Sequence, residues 1–295
     1  MPPVFLTYNA LASLADVAFD VDDNLRLPDA APIVHDARQL PGSVRRIFVK
    51  NDLVATFVLH VLPVLDADRR LVLLLGAGDV TPPVWAVDAI ARDERIVRVF
   101  ATNWPMAWNG RCPKVAHVPI GFPEPCRATG PQRSFASWYT ATYAGVGDAE
   151  ELRERLMQRK RWRLLVPPMQ GTHPDRSRLL LNAHNWRDTC DIVAGPLEHA
   201  DYMKMLSVFA ACIVPRGNGL DVHRVVECVL VGTLPIYVAS ASEGPPGIVG
   251  ALGLPWIPID NYGRVPAVPT AKDAARILWR ARAALFTSSW AAQMV

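Results

Sequence analysis

The sequence predicts an α/β protein of two lobes, each built on a parallel sheet. Three observations lead there. Short continuous apolar runs recur at helix-length intervals, this alternation occurs on both sides of an irregular stretch at 123–147, and a glycine-rich turn in the second half joins an apolar run to a helix. The chain has 295 residues, long for one core and ordinary for two. A composition of 51% hydrophobic and 20% charged residues with 26 prolines suits a soluble α/β protein with many loops and excludes a disordered or fibrous one.

In the first half, Arg46–Val49, Leu71–Leu75, Ile96–Phe100 and Val115–Val118 read as buried parallel strands, since a strand covered on both faces needs apolar side chains at successive positions. Helices are expected at about Leu53–Leu65 and Pro83–Ala91, the second opening after Thr81-Pro82-Pro83 with proline in its first turn. The pattern then weakens into Pro-Glu-Pro and Gly/Pro-rich segments, marking an interdomain connection or a long active-site loop. Beyond it come a helix at Asp148–Arg159, a strand at Trp162–Val166, a helix from Pro174, a strand at Asp191–Val193 and a helix at Glu198–Val208. A strand at Ala211–Val214, a helix at Asp221–Val231, strands at Leu234–Val238 and Pro255–Pro258, and an amphipathic segment at Ala271–Ala292 complete the chain. The expected division is 1–147 for an N-terminal lobe, 148–270 for a C-terminal lobe and 271–295 for a final helix able to pack back on the first. Two such lobes place a ligand in the cleft between them, outside the carboxyl ends of the strands.

Formal charge is +3, and the basic residues are scattered apart from Arg159-Lys160-Arg161-Trp162-Arg163, which reads as a solvated helix end. No basic stripe points to nucleic acid. The cysteines, Cys112, Cys126, Cys190, Cys212 and Cys228, are odd in number and far apart, which suggests neither a zinc site nor a redox dithiol and suits a reducing compartment. With neither a basic leader nor an 18-residue apolar run, the expectation is a soluble cytoplasmic protein without a membrane span.

The segment with most chemistry is Pro215-Arg216-Gly217-Asn218-Gly219-Leu220-Asp221-Val222-His223-Arg224, followed by Glu227. Glycines 217 and 219 allow positive φ and close approach of a ligand, Asp221 suits a helix N-cap, and the helix end attracts an anion. Arg224 in the first turn can grip phosphate oxygens with fork geometry, and Glu227, three residues on, can accept two hydrogen bonds from a ribose diol. The alternative is structural: a common strand–helix turn, an Asp221 that only caps, and an Arg224–Glu227 surface ion pair. The order of glycines fits neither a dinucleotide fingerprint nor a P-loop.

From Tyr202 to Val238 the pattern Tyr-x5-Phe-x5-Pro-Arg-Gly-Asn-Gly-x-Asp-x-His-Arg-x2-Glu-x4-Gly-x2-Pro-Ile resembles the donor-binding region of exostosin-like glycosyltransferases, including the small soluble versions of large DNA viruses. Phe48–Asp52, Leu74–Asp79 and His117–Gly121 are similar to that family's first-lobe strand ends. The resemblance implies a GT-B architecture, a nucleotide-diphosphate sugar donor, usually a UDP-sugar, and hexosyl or pentosyl transfer to a glycan or glycoprotein hydroxyl with inversion. It assigns Arg216 and Arg224 to the diphosphate and Glu227 to the ribose, with no tightly bound cofactor. A nucleotide-sugar epimerase or hydrolase, or a non-catalytic carbohydrate-binding protein, stands as the alternative for the same architecture.

Inverting transfer needs a general base from the lobe opposite the donor. Asp79, at the end of Leu71–Leu75, is the first candidate, its other reading a helix cap; Asp52 is second, with the same alternative, and His35-Asp36 third. His173 and Arg176 precede a second-lobe helix, where they reach the donor or serve as cap and surface; His223 either meets phosphate or packs. Asn103-Trp104 and Trp108-Asn109 lie on a first-lobe loop, where an indole either stacks on an acceptor sugar or packs in the core. Asp20-Val21-Asp22-Asp23 matches an Asp-x-Asp metal motif literally, but so close to the N-terminus it reads as a solvated acidic loop, and arginines can neutralise the leaving group without a metal.

Overall fold

The computed structural model describes residues 4–21, 24–26, 37–105, 111–123, 132–240, 244–258 and 267–294. His35-Asp36, Trp108-Asn109, Asp22-Asp23 and Cys126 lie outside them.

The first sheet contains β1 (Val17–Val21), β2 (Asn24–Arg26), β3 (Arg46–Lys50), β4 (Leu71–Gly76), β5 (Ile96–Ala101) and β6 (Val115–His117) in the order β2-β1-β3-β4-β5-β6. Only the β1–β2 pair is antiparallel. The second sheet is parallel throughout: β7 (Arg161–Val166), β8 (Cys190–Ile192), β9 (Phe209–Pro215), β10 (Leu234–Ala239) and β11 (Trp256–Pro258), ordered β11-β10-β9-β7-β8. Helices α1 (Tyr8–Ala12), α2 (Val54–Thr56) and α3 (Val84–Arg92) belong to the first half of the chain. After them come α4 (Gln132–Tyr143), α5 (Ala149–Arg159), α6 (Pro174–Ala183), α7 (His199–Val208), α8 (His223–Leu230), α9 (Gly247–Leu252), α10 (Ala271–Ala281) and α11 (Thr287–Ala291). These are two Rossmann-like lobes, the GT-B arrangement. Among the described residues no helix is long and apolar enough to cross a membrane.

The apolar runs are strands because both faces of each sheet are covered. On one face of the first sheet Ile47, Val49, Leu73, Leu75 and Val99 pack with Phe57, Val87 and Ile90. On the other, Phe48, Leu74 and Phe100 lie in register as a cross-strand row and meet Leu6, Leu11, Trp290 and Met294. The chain's two ends therefore cover that face together. Leu6 N–H donates to the Leu285 carbonyl at 2.8 Å and Thr287 N–H to the Val4 carbonyl at 3.0 Å. Between them, α10 packs Ala274, Ala275 and Leu278 into the second-lobe core.

Several elements differ from expectation. The helix expected over Leu53–Leu65 is a succession of turns, including a π turn at Phe57–Val61, in a segment rich in β-branched valine and closed by Pro63. The irregular stretch at 123–147 contains α4, whose Phe135 and Tyr143 enter the second-lobe core. The run Arg159–Arg163 is a solvated helix end only in part: Arg159 ends α5 exposed and Arg161 is exposed as well. The run crosses from α5 into β7, and Lys160 turns inward to donate to the carbonyls of Ser207 and Val231, at 2.6 and 2.7 Å, and to Thr233 Oγ1 at 3.1 Å. Burial pulls its pKa down to about 7, while the three acceptors use every ammonium proton and tie the ends of α7 and α8 together.

Candidate nucleotide-diphosphate site

The second sheet has its topological switch point between β7 and β9, where connections leave for opposite sides. A cavity of about 580 Å³ opens there at the carboxyl ends of β7, β8 and β9. Pro168–Gln170 after β7 and Gly195–Leu197 after β8 form two of its sides; His199 and Tyr202 of α7, Arg176 of α6, and His223, Arg224 and Glu227 of α8 supply the polar groups.

Arg224 is held from two directions. Its Nε donates to Tyr202 Oη at 3.0 Å and its Nη2 to the Pro168 carbonyl at 2.9 Å, with the guanidinium 5.6 Å from the Tyr202 ring centroid. Nη1 is buried and has no partner among the described residues. Burial opposes the charge, but Tyr202, Cys212 and Glu227 outweigh it and raise the arginine's pKa. A buried donor without an acceptor costs about 1–3 kcal/mol, which a bound anion would recover.

Glu227, 7% exposed, lies one turn deeper, with Oε1 3.3 Å from His199 Nε2. The second carboxylate oxygen is left for a ligand on the cavity wall. His223 Nδ1 stands 2.7 Å from the Gly121 carbonyl, which can only accept. Nδ1 therefore carries the proton, and Nε2 is the ring nitrogen left for the cavity. Arg176 is anchored through Nε to the Arg216 carbonyl at 2.8 Å and through Nη1 to the Gln170 carbonyl at 3.3 Å. Burial, then the like charge of Arg224, lowers its pKa against the pull of Tyr237, Asp79 and Tyr202. Arg176 thus stands in the field of both Arg224 and Asp79.

The cavity therefore unites four of the expected donor residues: Arg176, His223, Arg224 and Glu227. The surface ion pair between Arg224 and Glu227 is replaced by separate buried partners. The glycine loop faces elsewhere. Neither Gly217 nor Gly219 has a positive φ; each is needed because something lies close. A Cβ on Gly219 would stand 2.9 Å from Asn103 Nδ2 and 3.1 Å from the Asp79 carbonyl, and one on Gly217 2.9 Å from Arg176 Nη2. Asn218 Nδ2 donates to Asp79 Oδ2 at 3.3 Å, so the loop rests against the first lobe.

Asp221 is not the helix N-cap, a position taken by Val222. Its carboxylate instead accepts the Ile120 N–H at 2.6 Å through Oδ2 and the Val222 N–H at 2.8 Å through Oδ1, and burial raises its pKa to about 7. Asn103, expected beside an acceptor, is 4% exposed with φ of 50°; its Oδ1 accepts the Asp221 N–H at 2.7 Å and its Nδ2 donates to the Gly78 carbonyl at 2.9 Å. Trp104 is buried in the first-lobe core and offers no face to a sugar. His173 caps α6, Nδ1 accepting the Asp175 N–H at 3.2 Å. Arg216, half-buried, lends its backbone carbonyl to Arg176.

The two base candidates lie on neighbouring loops of the first lobe. Asp79 is exposed, follows β4 and touches Asn218 across the cleft. Asp52 pairs with Lys50 at 2.9 Å, and a Cβ on Gly78 would be 2.6 Å from its Oδ1. Residues that sequence reasoning left without a role are His199, the Gly195–Leu197 turn and Tyr202, the last of which already belonged to the quoted motif.

No family model matches the sequence, and no curated protein is significantly similar to it. Among solved structures, the chain is similar to an α,α-trehalose-phosphate synthase (UDP-forming) of Burkholderia vietnamiensis, at 13% identity over 87% of this chain and 72% of that one, with a TM-score of 0.46. It is also similar to the HepE protein of Anabaena in complex with UDP, at 10% identity over 87% and 79%, TM-score 0.43. The UDP-forming synthase of Burkholderia xenovorans matches at 13% identity over 87% and 75%, TM-score 0.42.

Proposed function

We propose that the protein is an inverting glycosyltransferase, akin to the exostosin-like enzymes, that transfers one sugar from a nucleotide-diphosphate donor, a UDP-sugar, to a glycan hydroxyl. The observation that carries this reading is Arg224 on the cavity wall beside Glu227, its buried Nη1 without a partner among the described residues. A cation and a carboxylate one helical turn apart suit a diphosphate joined to a ribose diol.

The polar groups give the ligand a direction. Glu227 and His199 take the ribose, Arg224 takes the phosphates, and the donor sugar extends past Arg176 toward the first lobe. There Asp79 removes the acceptor hydroxyl proton as its oxygen attacks the anomeric carbon. The bond from that carbon to the phosphate oxygen breaks, and the electron pair leaves with the nucleoside diphosphate. Arg176, Arg224 and the amino-terminal end of α8 meet the negative charge that develops there, and this reading assigns no step to a metal.

Incubation with a set of UDP-sugars and saccharides tests the reaction. The expected outcome is UDP release that depends on the saccharide and a product heavier by one sugar residue. Donor consumption without any acceptor product would replace transfer with hydrolysis or epimerisation.

A further inference from the structure

Asp79 is followed at once by an apolar rim. Val80, Val84 and Trp85 are 51%, 54% and 46% exposed, three large hydrophobic side chains in solvent within six residues of the candidate base. Their exposure follows from the helix that begins there. Helix α3 buries Ala86, Val87 and Ile90 against the first sheet, and at 100° per residue Val84 and Trp85 point away from that face. Pro82 is buried and Pro83 holds φ −66° and ψ 144° just ahead of the helix, its carbonyl accepting the N–H groups of Ala86 and Val87. The rim is thus rigid, and Trp85 stands in the first helical turn at the carboxyl end of β4, the edge on which Asp79 meets Asn218 of the donor lobe. Beside it, against Gly78, lies the half-exposed Lys50–Asp52 pair.

A large apolar side chain left in water forgoes the free energy of its burial. A ligand that covers it recovers part of that. We propose that this rim is the acceptor subsite and that it takes a pyranose ring of a neutral saccharide, the C–H face lying on the Trp85 indole between Val80 and Val84. The chemistry of a sugar ring matches the layout: its faces are apolar and its hydroxyls radiate from the edge. Its hydroxyls would meet the polar groups of the same strand ends, Asp79 and the Lys50–Asp52 pair. The indole role expected of Trp104 passes to Trp85. This inference rests on the glycosyltransferase reading for its hydroxyl chemistry, but the surface can be tested apart from the donor site.

The test uses protein labelled with 15N-tryptophan in the presence of UDP, with Trp85→Phe identifying the Trp85 indole signal. Cellobiose, maltose and chitobiose are titrated in turn, followed by methyl and octyl glucoside. At least one disaccharide is expected to move the Trp85 resonance, and Trp85→Ala to weaken that binding by about tenfold or more, with UDP affinity by calorimetry unchanged. Disaccharides that leave the resonance in place, or a response to octyl but not methyl glucoside, would overturn the proposal, the latter in favour of an apolar aglycone. Failure of the unmodified protein to bind UDP would instead count against the donor reading, and the two failures are read on separate signals.

Discussion

The carboxylate of Asp221, in the loop ahead of α8, accepts the backbone N–H of Ile120 from the opposite lobe at 2.6 Å. Together with Asn103 Oδ1 receiving the Asp221 N–H and His223 Nδ1 on the Gly121 carbonyl, it joins the donor-side helix to the first lobe. The helix that carries Arg224 and Glu227 is therefore positioned partly by the other half of the molecule.

Asp221 makes stability depend on pH. Burial raises its pKa from 3.8 to about 7, so between those values the folded chain binds a proton that the unfolded chain has lost. Its contribution is fully present below about pH 4 and is lost as pH rises through about 7, a difference on the order of 4 kcal/mol for roughly three pKa units. Chemical denaturation of the wild type and Asp221→Asn across pH 4–8 checks this: the variant loses that part of the slope. It is also less stable at low pH, because the amide NH2 that replaces one carboxyl oxygen can only donate and faces the N–H of Ile120 or Val222.

Gly219→Ala pushes a methyl into Asn103 and the Asp79 backbone carbonyl, while Gly217→Ala meets side chains alone, Arg176 Nη2 at 2.9 Å and Val222 Cγ1 at 3.3 Å. The first is expected to cost about 1–3 kcal/mol and the second less. Urea titration of both variants gives the order, and equal losses would refute the close-approach account of Gly219.

Asp79→Asn keeps the contact with Asn218 but cannot take a proton. UDP affinity is expected to be unchanged while turnover falls about 10²–10⁴-fold. Retained turnover with a loss in Asp52→Asn would move the base to Asp52.

Glu227→Gln removes the charge that favours ribose hydroxyls and is expected to weaken UDP and uridine alike by about 10–100-fold in calorimetry. A loss confined to UDP would place Glu227 at the phosphates instead.

What could be read from the sequence was whatever local pattern determines. The strands at Leu71–Leu75 and Ala211–Val214 were legible because burial on both faces demands continuous apolar runs, and Arg224 with Glu227 because one helical turn brings them to one wall. Contacts between distant residues were not. Gly219 is glycine because of Asp79 and Asn103, and Asp221 is buried because of Ile120, partners more than 100 residues away whose approach no spacing encodes. Helix α4 was hidden for another reason. Its serines, threonines and aromatics are poor helix formers, and the burial of Phe135 and Tyr143 stabilises it. Trp104 and Trp85 show the same limit: both sit beyond strand ends, and only the packing of α3 and the first-lobe core decides which indole faces solvent.

In the proposed reaction Arg224, whose Nη1 has no partner among the described residues, holds the diphosphate, and calorimetry of uridine, UMP and UDP binding to the wild type and Arg224→Lys measures that role. The wild type is predicted to bind UDP more tightly than uridine by about tenfold or more, and Arg224→Lys to lose most of that increment while keeping its affinity for uridine. UDP binding no tighter than uridine, or an increment intact in Arg224→Lys, would rule out Arg224 as the diphosphate ligand.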